Sequence, residues 1–176
     1  MINLGGGGGG GYVPIYGGGS SIDELEGTAR GELRKGPSEP RRKIFISFSH
    51  EDIDKKRFLV AQAKNENLDL DFIDFSLKAP FNSENAEYIK RGIRERINQS
   101  SVTIVIVTDV TYKSDWVNWE IRESLDQNKG VVVIDKRSNP SNRMPEAVNE
   151  NMDRVRVVPW KIQDLNQAIK DAAEQR

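Results

Sequence analysis

Short apolar runs recur along the second part of the chain, separated by longer segments with a different spacing of apolar residues. Continuous runs of β-branched and apolar residues predict buried strands at Lys43–Phe48, Ser101–Val107 and Gly130–Asp135. Apolar and acidic residues alternate in Leu68–Phe75, which is typical of an edge or half-exposed strand. The segment Val155–Trp160 predicts a short last strand. The hydrophobic pattern therefore predicts five strands.

Four segments between and after these strands have the periodicity of amphipathic helices. Their apolar faces are, in chain order, Ile53, Leu59 and Ala63; Ala86, Ile89, Ile93 and Ile97; Val117, Ile121 and Leu125; and Ile162, Leu165, Ile169 and Ala172. The expected N-terminal caps of the first three helices are Ser49 or Asp52, Ser83, and Ser114 or Asp115. A polar loop containing Pro140 and Pro145 is expected before the last strand.

Strands that alternate with helices predict an α/β fold in which right-handed crossovers build a parallel sheet. We expect a flavodoxin-like three-layer sandwich with five parallel strands in the order 2-1-3-4-5. In such sheets ligands bind beyond the carboxyl ends of the strands, where the strand order reverses. The residues of interest are therefore 48–52, 75–82, 108–116 and 135–138.

The first forty residues differ from the rest in composition. Thirteen of the 15 glycines of the chain precede residue 37. Glycine loses much backbone entropy on ordering and offers no side chain to bury, so residues 1–40 are expected to be a flexible segment and linker. Residues 41–176 are expected to form one domain. An alternative role for the tail is that Tyr12–Tyr16 docks on a partner or on a neighbouring copy.

The charge and composition of the chain exclude several functions. The net charge is −1 over 176 residues, with no basic field that could follow a phosphate backbone, so nucleic-acid binding is not expected. No apolar run approaches the ~20 residues that span a bilayer, and the start lacks the pattern of a secretory signal. The chain has no cysteine, which excludes disulfides and thiolate chemistry. These features favour a cytoplasmic protein.

Common catalytic and cofactor motifs are absent from the sequence. There is no G-x-G-x-x-G fingerprint and no phosphate-binding P-loop. His50 is the single histidine, so no histidine-rich metal centre is expected, and a solvated loop position suits it better than a role as a base.

A phosphoreceiver is a rival hypothesis, because it shares this fold. Glu51, Asp52, Asp109 and Lys161 lie in suggestive places. However, Asp109 comes one residue late after the third strand, and Asp52 has a simpler role as a helix cap. Lys161 is also preceded by Pro159 and Trp160, not by the usual lysine-proline pair.

The segment Ser114–Leu125 carries the most distinctive pattern in the chain. Trp116 and Glu120 form an i, i+4 pair, rotated by about 100° from the apolar face of the same helix. The helix follows the third strand, so its first turns lie beside the carboxyl edge of the sheet. Glu120 could point into a ligand cleft there, or pair at the surface with Lys113 or Arg122. The pattern alone favours the surface.

Three stretches, KIFISFSHED (43–52), FIDFSLKAPFN (72–82) and SDWVNWEI (114–121), resemble a TIR domain. The resemblance is closest to the bacterial TIR-like group that includes the signal synthases of Thoeris anti-phage defence. It extends from about Lys43 to Trp160, and its most specific part is the tryptophan–x–x–x–glutamate helix start after the third strand.

The resemblance implies roles for particular residues. Glu120 matches the glutamate that cleaves NAD in TIR enzymes, and residues Ser76–Asn82 match the BB loop, which mediates contacts between copies. Substrate contacts are expected from Phe48, Ser49, His50, Phe75, Lys78, Phe81, Asp109 and Trp116. The chain departs from the family pattern in two places: Ser49 and His50 stand where an arginine is frequent, and the BB loop has Ala79–Pro80 and no glycine.

By this resemblance the protein is an enzyme that cleaves NAD, releases nicotinamide and makes a cyclic ADP-ribose-type signal, or hydrolyses NAD. A single carboxylate is sufficient because nicotinamide leaves as a neutral ring and needs no general acid, while the carboxylate stabilises an oxocarbenium-like centre. NAD is then a substrate, and no resident cofactor or metal is expected. The expected partners are further copies of the chain, a phage-derived activator and a downstream effector. The alternative is a non-catalytic adaptor that assembles through its BB loop.

Overall fold

The computed structural model of the chain describes residues 41–66, 68, 70–73 and 80–174. The glycine-rich segment 1–40 lies outside the described residues, and so do Phe75, Lys78 and most of the expected BB loop. The boundary proposed at residue 40 therefore stays a prediction.

The described strands form one parallel sheet. They are β1 (Arg42–Ser47), β2 (Leu70–Ile73), β3 (Val102–Val107), β4 (Gly130–Asp135) and β5 (Val155–Pro159). Their order is β2-β1-β3-β4-β5, which confirms the predicted flavodoxin-like arrangement. All six residues of β3 are buried, as a strand with neighbours and helices on every side requires. β2 is a short, half-exposed edge strand, as its alternating pattern predicted.

Helices cover both faces of the sheet. They are α1 (Ile53–Asn65), α2 (Ala86–Gln99), α3 (Asp115–Asp126), α4 (Glu146–Asn149) and α5 (Ile162–Glu174). On one face, α1 and α5 pack against alternate strand residues such as Ile44, Ile104 and Val132. On the other face, α2, α3 and α4 cover the intervening residues, such as Phe45 and Val105. No helix within the described ranges is long and apolar enough to cross a membrane.

Two of the predicted helix caps are wrong and one is confirmed. Asn85, not Ser83, is the residue before α2, and the buried Ser83 hydroxyl has no hydrogen-bond partner within the described part of the chain. Neither Ser49 nor Asp52 caps a helix with its side chain, because Asp52 turns inward to other partners. Ser114 does cap α3, where its Oγ accepts a hydrogen bond from the Val117 amide at 3.3 Å.

The polar loop predicted after β4 contains the short helix α4. Its two apolar residues, Ala147 and Val148, are fully buried against α3. The side chain of Asn118 on α3 accepts a hydrogen bond from the Ala147 amide at 2.9 Å. Four residues are too few to show helical periodicity, so the pattern of the sequence could not reveal this helix.

Candidate active site

Helix α3 is held against the sheet by the apolar face that the sequence predicted. Val117, Ile121 and Leu125 are buried and pack on residues of β3 and β4. The helix begins at Asp115, so its first two turns stand over the carboxyl ends of the central strands. This placement fixes the direction in which the neighbouring Glu120 side chain points.

Glu120 is buried, with 1% of its surface exposed. The Oγ of Ser47, the last residue of β1, donates a hydrogen bond to Glu120 Oε2 at 2.5 Å. Ser47 itself is fully buried. A carboxylate taken out of water is costly unless hydrogen bonds replace its hydration, and Ser47 supplies one of them.

The surface pairing that the pattern favoured for Glu120 is wrong. Arg122 binds Glu150 at 2.8 Å and Glu146 at 3.2 Å instead. The amine of Lys113 lies 5.5 Å from the ring of Tyr112. Glu120 faces the sheet, where it bonds to Ser47. The charged surface of α3 carries Arg122 instead.

Aromatic rings cluster one turn before Glu120. Trp116 is 7% exposed, and its ring meets the ring of Phe81 edge-on at 5.0 Å and that of Trp119 at 6.1 Å. The Lys90 amine lies 4.5 Å from the centre of the Phe81 ring, and the Arg94 guanidinium lies 5.4 Å from that of Trp119. The cluster is thus apolar towards the core and cationic on its α2 side.

A buried polar cluster joins the loops after β1 and β3. Asp52 is 2% exposed and accepts hydrogen bonds from Thr108 Oγ1 at 2.8 Å and Thr111 Oγ1 at 3.4 Å. Lys55 donates to its other oxygen at 2.9 Å. Because both loops lie at the carboxyl edge of the sheet, Asp52 holds together two walls of the predicted cleft.

Asp109 is engaged by the loop after β4. It accepts hydrogen bonds from the Ser138 amide at 3.0 Å and from Asn142 Nδ2 at 2.7 Å. Bonds from Ser138 and Asn142 hold the pKa of Asp109 below its ordinary value. Its observed contacts are with this loop.

The same loop is braced by an ion pair. Arg137 binds both oxygens of Asp135, at 2.9 Å and 2.7 Å, and also donates to the carbonyl oxygens of Pro140 and Asn142. The hydrogen bond from Arg137 lowers the pKa of Asp135. The loop that meets Asp109 therefore has a well-defined shape.

The other predicted site residues lie in different surroundings. Phe48 is buried in the core cluster on the opposite face of the sheet from Phe45 and Trp116. Ser49 is buried next to it, and His50 is exposed in a short 3-10 turn, His50–Asp52. Of the expected substrate contacts, the structure gathers Trp116 and Phe81 in one cluster, one helical turn from Glu120.

Ser47 was missed by the sequence analysis. Its signal is a small hydroxyl residue inside an otherwise apolar buried strand, Lys43–Phe48. A polar residue in such a run needs a partner inside the protein. Its identity could not be read from the sequence, because the partner lies 73 residues further along the chain.

The arrangement weighs against a phosphoreceiver. Asp52 is bonded to Lys55 and Thr108, whereas Asp109 is bonded to Ser138 and Asn142. Among the described residues, no three His, Cys, Asp or Glu side chains form a group that could hold a metal ion. The acidic cluster of a receiver is therefore not formed by these residues.

A family model described as Thoeris protein ThsB, TIR-like domain, matches residues 45–141, which is more than half of the chain. The chain belongs to this TIR-like family. Membership supports a role in anti-phage defence. The match extends from the second half of β1 to beyond β4 and includes both Ser47 and Glu120. No curated protein matches the chain at a significant level.

Several solved structures resemble the chain at low identity. A 2-deoxyribosyltransferase from Bacillus psychrosaccharolyticus is 15% identical with a TM-score of 0.49, over 70% of this chain and 90% of that one. The CMP N-glycosidase BcmB from Clostridium botulinum is 13% identical with a TM-score of 0.47, over 73% and 98%. These weak likenesses assign no role to any residue of this TIR-like chain.

Proposed function

We propose that the protein is an NAD-cleaving enzyme of the TIR-like family, which releases nicotinamide and forms a cyclic ADP-ribose-type signal. The observation that carries the proposal is the buried carboxylate of Glu120, held by Ser47 at the carboxyl edge of the sheet. This edge is where parallel α/β sheets bind their ligands. Glu120 is also the residue that the family resemblance matches to the catalytic glutamate.

The proposed reaction needs one negative charge close to the ribose. The bond between C1′ of the ribose and the nicotinamide nitrogen breaks, and its electron pair neutralises the cationic ring. The carboxylate of Glu120 then faces a positively charged, oxocarbenium-like carbon. Such an interaction is stronger where water is excluded than in bulk solvent.

Capture of the ribosyl centre decides the product. A ring nitrogen or hydroxyl of the same nucleotide forms a new bond to C1′ and gives a cyclic product, with release of a proton where a hydroxyl attacks. Water gives ADP-ribose instead. Exclusion of water around a side chain as buried as Glu120 favours the cyclic product.

Burial of Glu120 has a consequence for access. With 1% of its surface exposed, it meets a substrate only after neighbouring side chains move. We propose that contact with another copy through the BB loop causes this movement, because Phe81, in the described part of that loop, already packs on Trp116. Turnover should then rise more steeply than in proportion to protein concentration.

The test is nicotinamide release by the purified chain, measured by chromatography over a range of protein concentrations. Glu120→Gln should abolish release while the far-ultraviolet circular dichroism spectrum is unchanged. The matched control is Glu123→Gln, which removes a carboxylate from the same helix, where Glu123 pairs with Arg94 at the surface. Wild-type turnover by Glu120→Gln would disprove the assignment.

The same chromatograms identify the product. Elution of a cyclic nucleotide supports a signal that a downstream effector could sense, whereas ADP-ribose alone indicates plain hydrolysis. Addition of a phage lysate should increase the rate if a phage-derived activator exists.

A non-catalytic adaptor is the second candidate. The observation that favours it is the near-complete burial of Glu120 in a single chain. An adaptor would release no nicotinamide under any condition but would form concentration-dependent oligomers. These should weaken in Phe81→Ala, because Phe81 belongs to the predicted BB loop. Oligomers that persist in this variant would count against the adaptor.

A further inference from the structure

We infer that Ser47 is a positioning residue for the reaction, which orients the carboxylate of Glu120 from the end of β1. The inference rests on the proposed function and adds to it a residue that neither the family match nor the sequence pattern assigns. Three features of the structure support it: the rigidity of the strand, the burial of both partners and the contrast with a neighbouring hydroxyl pair.

Ser47 is one of the most firmly held residues near the site. It ends β1 and lies in register with Val105 of β3, in the middle of the sheet. Its side chain has no exposed surface. A donor fixed on a central strand holds its acceptor in a narrower range of positions than a donor on a loop.

The side chain of Glu120 needs such a constraint. Glutamate has three rotatable side-chain bonds, and its carboxylate can occupy several orientations when nothing selects among them. The 2.5 Å hydrogen bond from Ser47 holds one carboxylate oxygen in place. A transition state that carries charge at one carbon is stabilised only when the opposing charge is already placed.

A buried pair of hydroxyl groups on the same face of the sheet offers a comparison with the Ser47–Glu120 bond. Thr103 of β3 and Ser124 of α3 are fully buried, with their hydroxyl oxygens 2.8 Å apart. This bond also links the sheet to α3, one turn beyond Glu120. Ser124 Oγ donates to the backbone carbonyl oxygen of Glu120 at 2.7 Å, so the pair holds the helix backbone and does not touch the carboxylate. Loss of the Thr103 hydroxyl should therefore affect stability without affecting the orientation of Glu120.

The experiment compares Ser47→Ala, Ser47→Cys, Ser47→Thr and Thr103→Val in the full chain, with NAD as substrate. We expect Ser47→Ala to lower kcat by ~10- to 100-fold with little change in KM, since misplacement of a reacting group costs rate more than binding. Cysteine, a weak donor, should give an intermediate kcat, and threonine, which keeps the hydroxyl, should restore most of it. Thr103→Val should keep the wild-type kcat, although its melting temperature falls.

The outcomes separate the two proposals. If the wild type and Thr103→Val release nicotinamide and Ser47→Ala does so with an unchanged kcat, Ser47 has only a structural role and the inference fails alone. An equal loss of kcat in Ser47→Ala and Thr103→Val would overturn it as well, because a general loss of packing would explain both. If the wild type releases no nicotinamide at any protein concentration, the proposed function fails and the inference fails with it.

Discussion

Asp52 is an acidic residue whose side chain is buried and hydrogen-bonded on both oxygens. It is 2% exposed and joins Thr108 on one side to Lys55 on the other. Both partners are donors, so each of its oxygens must accept. An asparagine at this position would point its NH2 group at one of these two donors and would lose that hydrogen bond.

Asp52→Asn should therefore lower the free energy of unfolding by about 1–3 kcal/mol, the usual effect of an unsatisfied buried polar group. Urea denaturation measures it. The matched control is Asp54→Asn, because Asp54 is 89% exposed and pairs only weakly with Arg57 at 3.4 Å. A surface pair of this kind contributes at most about 1 kcal/mol. Equal losses in the two variants would show that the buried cluster has no special role.

Asp135 gives stability that depends on pH. The hydrogen bond from Arg137 lowers its folded-state pKa below the ordinary 3.8. The stabilisation is therefore present above the unfolded pKa and is lost as the pH falls through the lower folded pKa. The difference in unfolding free energy between the wild type and Asp135→Asn should be constant above pH ~5 and should shrink as the pH falls below the ordinary pKa of 3.8.

Denaturant titrations at a series of pH values measure this difference. Asp126→Asn is the control, because Asp126 is exposed on α3 and makes no described hydrogen bond to Arg137. A gap between wild type and Asp135→Asn that stays constant into acid would contradict the prediction.

Residue by residue, the sequence indicated the apolar positions better than the polar ones. Val117, Ile121 and Leu125 are buried as predicted, since burial follows from hydrophobicity and spacing alone. Neither Ser83 nor Asp52 forms the cap that was predicted for it. The side chain of Asp52 bonds instead to Thr108, 56 residues further along the chain, which spacing along the sequence cannot reveal. Glu120 shows the same limit: its partner Ser47 is distant in sequence.

At the scale of elements, β4 and α5 approach each other very closely at Gly130 and Ala172. A Cβ built on Gly130, the first residue of β4, would lie 2.3 Å from the carbonyl oxygen of Ala172. That distance is far below van der Waals contact, and the obstacle is backbone. Only glycine lets the last helix approach the sheet so closely.

Gly130→Ala should therefore destabilise the protein by about 1–3 kcal/mol, the usual cost of overpacking, and shift the end of α5 away from the sheet. Thermal unfolding and amide exchange in residues 162–174 measure the two effects. Ala172→Gly in the same chain should restore only part of the stability, because it removes the Ala172 Cβ at 2.8 Å but leaves the backbone oxygen at 2.3 Å and the backbone carbon at 2.7 Å. A full rescue by this second change would show that the methyl group of Ala172, and not its backbone, causes the clash.

Element type was predictable where the apolar pattern is long. The strands and the four longer helices appear close to their predicted places, because periods of two and 3.6 residues are distinct over such lengths. Helix α4 was not predictable, since its stability comes from burial of Ala147 and Val148 and from the contact with Asn118. The candidate site shared this limit, because its residues come from a strand (Ser47), a helix (Trp116 and Glu120) and a loop (Phe81) that are distant in sequence.

On the scale of the whole molecule, the described core of residues 41–174 contains contributions from every strand and helix on both faces of the sheet. A chain that starts at Arg41 should therefore unfold in one cooperative transition, with the urea midpoint of the full-length protein. Circular dichroism during urea titration measures this. A broad or shifted transition would show that residues 1–40 contribute to folding.

Nicotinamide release by the shortened chain addresses a separate question. Normal folding with lost turnover would make the glycine-rich segment more than a tether. Normal folding with normal turnover would confine the chemistry to residues 41–176.

The strand order also sets a timetable for synthesis. β1 is made first but lies between β2 and β3, so it stays without its central neighbour until Val102–Val107 has been made. Glu120 is synthesised 73 residues after Ser47, which takes between about 4 and 15 s at ordinary translation rates. A nascent chain that ends before α3 contains Ser47 but not yet Glu120. The proposed activity therefore requires that synthesis has passed α3.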